Sequence, residues 1–292
     1  DIENPIKIGV LAPLSDIFAG YGEEIITGIQ TSIGDNKAIE IVAEDTKCEP
    51  APTVSAIRKL IDIDGVQFII GPACGSPQEA VAPIIKDSEV VALLPSVATR
   101  SLYDMSGGKI FNTQYSLEDE SKFIAEKMTE LGHEKVILIS YNNAFSATHV
   151  KSFKENFTGE IVADVVIQDA TTDISTEIAK LRGLEANAIF STDVSFFFGQ
   201  GMAKLDQFGI DLPVFSQYAI ELPSARPLVE GVIYSFPANL GEMGAVSELS
   251  KISADILVDA ITKCGGDYNC VKSNLSSSDL FDEFGVRKQG II

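Results

Sequence analysis

Short runs of apolar residues alternate along this chain with stretches in which apolar residues recur every three or four positions. Ile6 to Pro13 is a run of the first kind, and from about Tyr21 to Ser32 the spacing is helical. Ile39 to Ala43 reads as a strand. Val54, Ile57, Leu60 and Ile61 then keep helical spacing, with Thr53 available as a cap. Val66 to Ile70 is a strand, Ala80, Val81, Ile84 and Ile85 mark a helix, and Val90 to Leu94 is a strand ended by Pro95. The order βαβαβαβ, with strands apolar on both sides, predicts a parallel sheet covered by helices on both faces.

The pattern then restarts. Lys109 to Thr113 reads as extended, and Phe123, Ile124, Met128 and Leu131 form one helix face closed by Gly132. Strands are predicted over Val136–Ser140, Ile161–Ile167, Ala188–Ser191, Pro213–Ser216 and Val232–Phe236. Helices are predicted over Ser146–Asn156, Ile174–Leu184, Phe196–Phe208 and Val246–Lys263, and the tail Phe284–Ile292 reads as extended. No low-complexity linker separates the halves, so a chain that crosses between two lobes more than once is expected, not two beads on a string.

Composition narrows the function classes. At 292 residues there is room for two domains of ordinary size, and 45% apolar residues excludes disorder. A net charge of −20 argues against nucleic-acid binding and against docking on anionic membranes. No apolar run approaches the ~20 residues of a membrane helix. The chain starts at Asp1 without a signal peptide, so an exported protein would be seen here in mature or trimmed form.

Four cysteines fall into two local pairs, Cys48 with Cys74 and Cys264 with Cys270. Four cysteines allow three connectivities, and free thiols or a zinc site are the alternatives. No CxxC spacing is present, and neither His133 nor His149 is near a cysteine in sequence. Pairing of near neighbours is the expectation, with the oxidising, extracytoplasmic setting that disulfides imply. Cys48 and Cys74 each follow a predicted strand, at the sheet edge where ligands bind in open α/β folds. Cys264–Cys270 reads as a short polar turn.

Catalytic motifs are missing from the sequence. There is no GxSxG, no HExxH, no phosphate loop and no GxGxxG after the first strand. His133 sits at a helix end, where a cation favours the dipole, and His149 is read as a packing or surface residue. No cofactor and no metal site are expected. Positive signals come from two polar loops, Gly75-Ser76-Pro77 and Ser96-Val97-Ala98-Thr99, which bring hydroxyls and backbone amides to adjacent strand ends. A helix N-terminus is a natural anion seat, although capping by Ser76 and Ser101 would also explain these loops. Tyr21, Tyr115, Phe145 and Tyr218 each read as loop residues just after a strand, and together suggest an aromatic-lined cleft. Phe196, Phe197 and Phe198 diverge by ~100° each on a helix, so one of them is expected to face outward. Asp169, Asp173 and Glu177 read as solvated faces and caps.

Taken in order, Ile6-Lys7-Ile8-Gly9-Val10-Leu11-Ala12-Pro13-Leu14-Ser15, Tyr21-Gly22, Glu44-Asp45, Cys48-Glu49-Pro50, Ile69-Ile70-Gly71-Pro72 with Cys74 and Ser76, and Pro95-Ser96-Val97-Ala98-Thr99 resemble the leucine/isoleucine/valine-binding protein family, type I periplasmic solute-binding proteins of ABC importers. Glu230-Gly231-Val232 and Phe281-Asp282-Glu283-Phe284-Gly285 extend the likeness over the whole chain. The resemblance implies two doubly wound parallel-sheet α/β lobes joined by a three-crossover hinge, closing on a ligand held between them. Lobe 1 is expected over 1–115 plus 239–281, and lobe 2 over 116–238 plus 282–292. The family's carboxylate- and amine-holding loops map onto Gly75, Ser76, Val97, Ala98 and Thr99, its aromatic before the first helix onto Tyr21, and its cysteine bridge onto Cys48 and Cys74.

The second lobe departs from that pattern. The family's ligand-contacting tyrosine falls near Asp193 or Val194, its tyrosine-glycine becomes Phe145-Ser146, and its ammonium-pairing acid falls near Tyr218. Unless Asp193 substitutes, an ammonium there would be unpaired at a cost of several kcal/mol, so a carboxylate lacking the amine, aromatic included, is favoured. The expected function is capture of a small carboxylate-bearing solute, an amino acid or an aromatic or organic acid, for a membrane permease, by a periplasmic or extracellular monomer, free or lipid-anchored. The rival readings are a ligand-sensing ectodomain or regulator on the same fold and, behind it, an enzyme such as a hydrolase.

Overall fold

The computed structural model describes residues 5–168, 173–237, 243–276 and 289–291, with backbone alone at 195, 198, 237 and 289–291. The chain divides into two compact units, Asp1–Ser116 with Pro237–Lys288 and Leu117–Phe236 with Gln289–Ile292. It passes from one unit to the other after Ser116, Phe236 and Lys288.

The first unit is built from β1 (Ile6–Ala12), α1 (Ala19–Ile33), β2 (Ile39–Asp45), α2 (Pro50–Asp62), β3 (Phe68–Ile70), α3 (Gly75–Lys86), β4 (Val91–Leu94), α4 (Ser101–Met105) and β5 (Ile110–Asn112). Its sheet has the order β2-β1-β3-β4-β5 with parallel pairing throughout. β1 from Ile8 to Ala12 and all of β4 are buried on both faces, as their apolar runs require. One core, with Ile8, Val10, Ile25, Ile29 and Val91, lies under α1. The other, with Leu11, Ile57, Leu60, Val81 and Ile85, lies under α2 and α3.

The second unit runs α5 (Leu117–Glu130), β6 (Lys135–Tyr141), α6 (Ala144–Asn156), β7 (Glu160–Ile167), α7 (Ser175–Lys180), β8 (Ala188–Ser191), α8 (Val194–Phe198), α9 (Gly201–Gln207), β9 (Val214–Ser216) and β10 (Ile233–Pro237). The chain then returns to the first unit for α10 (Ala245–Cys264) and α11 (Tyr268–Leu275), and ends in β11 (Gln289–Ile291). The second sheet is ordered β11-β10-β9-β8-β6-β7. Phe153 stacks on Phe157 at 4.9 Å and on Phe190 at 4.5 Å in its core. Truncation of such a ring costs ~3–5 kcal/mol. α10 packs on α1, and Gly28 permits the approach, because a Cβ there would stand 2.0 Å from the Ser247 carbonyl oxygen.

Strands β1 to β10 lie where the apolar runs predict them, within a residue or two at their ends, and of the extended tail expected over Phe284–Ile292 the described residues Gln289–Ile291 form β11. Four helical expectations are corrected. The predicted helix Phe196–Phe208 is two helices, α8 and α9, broken at Gln200, whose φ is 58°. The Phe196 ring lies so close to Gly201 that a Cβ there would be 2.3 Å away, so a continuous helix of larger residues does not fit. The helix predicted from Ile174 to Leu184 stops at Lys180. Only Gly265–Asp267 of the polar turn is non-helical, since Asp267 accepts from the Cys270 amide at 2.8 Å and caps α11. Thr53 lies inside α2, and its hydroxyl donates back to the Glu49 carbonyl at 2.6 Å.

Both disulfides join the expected neighbours, Cys48 to Cys74 and Cys264 to Cys270. Phe196 and Phe197 are both buried, and the side chain of Phe198, which would carry the outward-facing role, lies outside the described residues. Asp173, one residue ahead of the α7 N-cap, accepts from the Ser175 amide and hydroxyl, and with Lys204 these hold its carboxyl well below the usual range. Asp169 and the Phe281–Gly285 segment lie outside the described residues.

His149 is fully buried on α6. Its Nδ1 is 2.5 Å from the Ser121 hydroxyl, and its ring meets Phe145 edge-on at 4.7 Å. Burial pushes its pKa down to about 3, so the ring is neutral at pH 7, and the 3.8 Å approach of Nε2 to Glu120 Oε2 is not an ion pair there. The unfolded chain takes up a proton below ~6.5 that the folded chain refuses until about 3. Stability is therefore full above pH ~6.5 and falls on acidification through that window, by at most ~1.4 kcal/mol per pH unit from this residue. The urea midpoint should drop from pH 6.5 to 4 more steeply in the parent protein than in His149→Gln. Equal slopes would remove the assignment.

Candidate functional site

In the first sheet the strand order reverses at β1 and β3, and open parallel sheets bind ligands outside the carboxyl ends of strands at such a point. The loops there are held from within. Asp45, at the end of β2, accepts from the Leu14 amide at 2.8 Å, the Ser15 hydroxyl at 2.6 Å and the Lys47 amide at 2.9 Å. Burial pushes its carboxyl pKa up, but these bonds outweigh burial and leave it below the usual range. Asp45 thus ties the loop after β1 to the loop after β2. The Cys48–Cys74 bridge ties the loop after β2 to the start of α3. At Gly71 φ is 102°, and a Cβ would stand 2.3 Å from the Leu11 carbonyl oxygen, so only glycine lets the β3 loop lie against β1.

Gly75 and Ser76 are the first two residues of α3, and Pro77 the third. The helix has no side-chain cap, and the amides of Gly75 and Ser76 have no protein acceptor among the described residues. Ser76 is exposed and Gly75 half-buried. Capping by Ser76 is therefore not what the structure shows, nor is capping by Ser101, which is the first residue of α4 behind an uncapped Arg100. The Thr99 hydroxyl lies 3.1 Å from the Ser101 hydroxyl and is half-buried. Val97 and Ala98 are buried, and Ala98 bridges in parallel to Ser116.

A residue that sequence reasoning missed brings these two loops together. Gln78, 2% exposed, donates from Nε2 to the Pro72 carbonyl at 3.2 Å, to the Ser96 hydroxyl at 3.0 Å and to the Val97 carbonyl at 3.4 Å. From the other side, Thr113 donates to the Leu94 carbonyl at 2.9 Å and Gln114 to the Pro95 carbonyl at 3.2 Å. The signal was present in the helix. Pro77, Gln78, Val81, Ala82 and Ile85 form the buried face of α3, and an amide in an apolar stripe marks a buried polar contact.

Tyr21 is placed differently from expectation. It is the third residue of α1, not a loop residue, and it packs half-buried against the first core, where burial raises its phenol pKa well above the ordinary value and Glu24 adds to the rise. Tyr115 does lie in the loop after β5, half-buried.

In the second unit Phe145, Asp193 and Tyr218 follow β6, β8 and β9, three neighbouring strands, at the carboxyl edge. Phe145 is half-buried in the first turn of α6, where Asn143 caps the helix through the Ser146 amide at 2.8 Å. Asp193 is 3% exposed, so its carboxylate does not point to solvent. Its amide donates to the Ser191 hydroxyl at 3.3 Å. Tyr218 opens a 3-10 turn over Tyr218–Glu221 and is 6% exposed. Its ring meets Phe236 at 6.1 Å, and Phe236 meets Tyr234 at 6.1 Å, an aromatic row that continues along β10 and that the sequence reading did not include. Gln217 supports this edge by accepting from the Ala219 amide at 2.6 Å and donating to the Thr192 carbonyl at 3.5 Å. The first unit's edge offers neutral donors suited to an oxyanion, and the second unit's edge offers flat aromatic surface and one buried acid. Among the described residues no cluster of acids, histidines and cysteines could hold a metal ion.

Removing the Gln78 amide leaves the buried Ser96 hydroxyl and two carbonyls without their donor. Gln78→Ala should cost ~1–3 kcal/mol by denaturant unfolding. It should also speed amide exchange in the Ser96–Thr99 loop while leaving α10 protected. Unchanged exchange in that loop would show that Gln78 does not hold it.

With this geometry in place, comparison with known proteins is informative. Residues 5–245 match the periplasmic binding protein family. A Leu/Ile/Val-binding protein homolog from Brucella abortus is 27% identical over 197 residues, 64% of this chain and 50% of that protein. The Leu/Ile/Val-binding protein of Escherichia coli is 23% identical over 61% of this chain and 51% of its own. The chain thus spans about half the length of the curated relatives it matches. Among solved structures, a branched-chain amino acid transporter substrate binding protein from Streptococcus pneumoniae in complex with isoleucine superposes with a TM-score of 0.81 at 23% identity, over 93% of this chain and 88% of that one. An ABC transporter solute binding protein from R. palustris in complex with 4-hydroxybenzoate gives 0.80 at 20% identity, over 92% and 84%. These are binding proteins, not enzymes, and their likeness carries the type I periplasmic binding fold. The match over residues 5–245 places this chain in the periplasmic binding protein family.

Proposed function

We propose that this protein is an extracytoplasmic solute-binding protein of an ABC importer that captures a small carboxylate and hands it to a membrane permease, acting as a monomer. The observation that carries this reading is the first unit's edge, where Gln78 holds two hydroxyl-bearing loops side by side at the uncapped start of α3. Ser76, Thr99 and the amides of Gly75 and Ser76 are assigned the ligand's carboxylate, lined by Val97 and Ala98, with Tyr21 at the start of α1 as a further contact. Phe145, Asp193 and Tyr218, at the corresponding edge of the second unit, are assigned the rest of the ligand. The structural relatives, bound to isoleucine and to 4-hydroxybenzoate, support a small carboxylate as the ligand class. No helix among the described residues is long and apolar enough to cross a membrane, as suits a binding protein that delivers to a separate permease.

Within that class we favour a flat acid lacking an amine. Tyr218 stands where the resemblance expects an acid, and a phenol with a pKa near 10 is neutral at pH 7 and cannot neutralise an ammonium. The Tyr218–Phe236 pair and Phe145 supply aromatic surface suited to a ring. An α-amino acid is the second reading, and buried Asp193 is the observation that favours it.

A thermal-shift screen against benzoate, 4-hydroxybenzoate, isoleucine and leucine tests both readings. A ligand at 100-fold over its Kd adds ~2.7 kcal/mol to stability. Each charge-assisted hydrogen bond is worth ~1.5–3 kcal/mol, so Ser76→Ala and Thr99→Ala should each weaken binding of the best ligand by roughly ten- to a hundredfold in calorimetry. Unchanged affinity in both variants would misplace the carboxylate site. Saturable isoleucine binding abolished by Asp193→Asn would establish the amino-acid reading over the aromatic one.

A further inference from the structure

α5 carries a carboxylate where its pattern calls for an apolar residue. Leu117, Glu120, Ser121, Ile124, Ala125 and Met128 form its buried face, and Glu120 is 0% exposed. Glu120 Oε1 accepts from the Tyr218 amide at 2.8 Å and from the Ser235 hydroxyl on β10. One oxygen therefore ties α5 to the turn after β9 and to β10. Glu120 Oε2 lies 3.8 Å from His149 Nε2. That imidazole, also 0% exposed, reaches Ser121 through Nδ1 at 2.5 Å and meets the Phe145 ring at 4.7 Å and 66°. The same carboxylate thus touches the backbone of Tyr218 directly and the ring of Phe145 through one side chain.

A buried acid beside a buried histidine is poor evidence for stability, because apolar residues of the same volume often serve at least as well. Such a pair can instead fix geometry, as buried polar groups do when they select one packing arrangement over others. Here the geometry concerns the two aromatic residues assigned to the ligand in the second unit. Phe236, which meets the Tyr218 ring, follows Ser235 directly on β10, so the same carboxylate anchors both segments that carry this ring pair, the turn after β9 and β10.

We propose that Glu120, with His149 behind it, is a positioning and specificity-determining pair. It sets where Tyr218 and Phe145 stand and so which small carboxylate the edge accepts. The proposal rests on the assignment of Tyr218 and Phe145 as ligand contacts. Neither Glu120 nor His149 touches the ligand, and their effect on binding is carried by the residues they hold.

Amide exchange and ligand selectivity, measured together, test it. In the ligand-free protein, Glu120→Ala should speed exchange of the Tyr218 amide at least tenfold while amides of β6 and β8 keep their protection. In calorimetry it should change the ratio of Kd for benzoate to Kd for isoleucine at least fivefold. Glu120→Gln keeps an oxygen at the Oε1 position and should stay within about twofold of the parent on both readouts. Ser235→Ala, which removes one of the two donors, should move both in the same direction as Glu120→Ala and by less, and it decides the matter should Glu120→Ala fail to fold. Retained protection of Tyr218 in Glu120→Ala, or in Ser235→Ala if only that variant folds, overturns the positioning role. A uniform loss of affinity that tracks global unfolding, with the ratio unchanged, overturns the specificity role. If the parent protein binds neither probe, the binding assignment fails and the specificity claim with it, while the exchange of Tyr218 still decides whether Glu120 holds the turn.

Discussion

Parallel sheets end in loops, and a loop at the carboxyl edge carries backbone groups that the sheet no longer satisfies. Everything at the candidate site depends on how those groups are bonded. In the first unit the donor is the Gln78 amide, buried and shared among a carbonyl and a hydroxyl–carbonyl pair on two successive loops. In the second unit the acceptors are the Glu120 carboxylate and the Gln217 carbonyl oxygen, which take up the Tyr218 and Ala219 amides. A buried polar group left unmade costs ~1–3 kcal/mol, so each of these side chains restricts its loop to the arrangement that keeps the bond. With the loops bonded from beneath, Ser76 stays exposed and Thr99 and Phe145 half-buried at the edges.

The two units solve this problem with different chemistry. The first relies on neutral donors, a helix start, a disulfide and a glycine that lets backbone approach backbone. A helix N-terminus with unsatisfied amides attracts an anion without a cationic side chain. The second relies on buried acids and aromatic pairs, with His149 kept neutral by burial. An oxyanion suits the first set and a flat or apolar body suits the second. That difference in chemistry is what the proposed small-carboxylate reading rests on, with ligand choice assigned to the second set.

The strongly acidic composition does not enter the site directly. Exposed pairs such as Lys135 with Glu185 and Lys154 with Asp164 contribute little individually. The acids that shape the edges are few, half-buried Asp45 and buried Glu120 and Asp193, and each bonds backbone or lies at a strand end.

The alternation of apolar runs and helical spacing determined the α/β class and the strands, because a strand buried on both faces must be apolar, as β4 is throughout and β1 is from Ile8 to Ala12. Loop position followed from the strands, so Ser76, Thr99, Phe145 and Tyr218 were placed at strand ends from the pattern, while Asp193 was singled out only through the family resemblance. The break at Gln200 was not legible, since it arises from the Phe196 ring packing where Gly201 must pass, a contact with no local pattern. α11 was hidden by glycines that end one helix immediately before Asp267 caps the next. Gln78 and Glu120 were visible as polar residues on apolar helix faces, but their partners lie far off along the chain, Val97 for the first and Tyr218 and Ser235 for the second. Sequence periodicity reports which face of an element is buried. Only the tertiary structure decided which polar atoms meet there, because hydrogen bonds between distant segments depend on distances that no local pattern encodes.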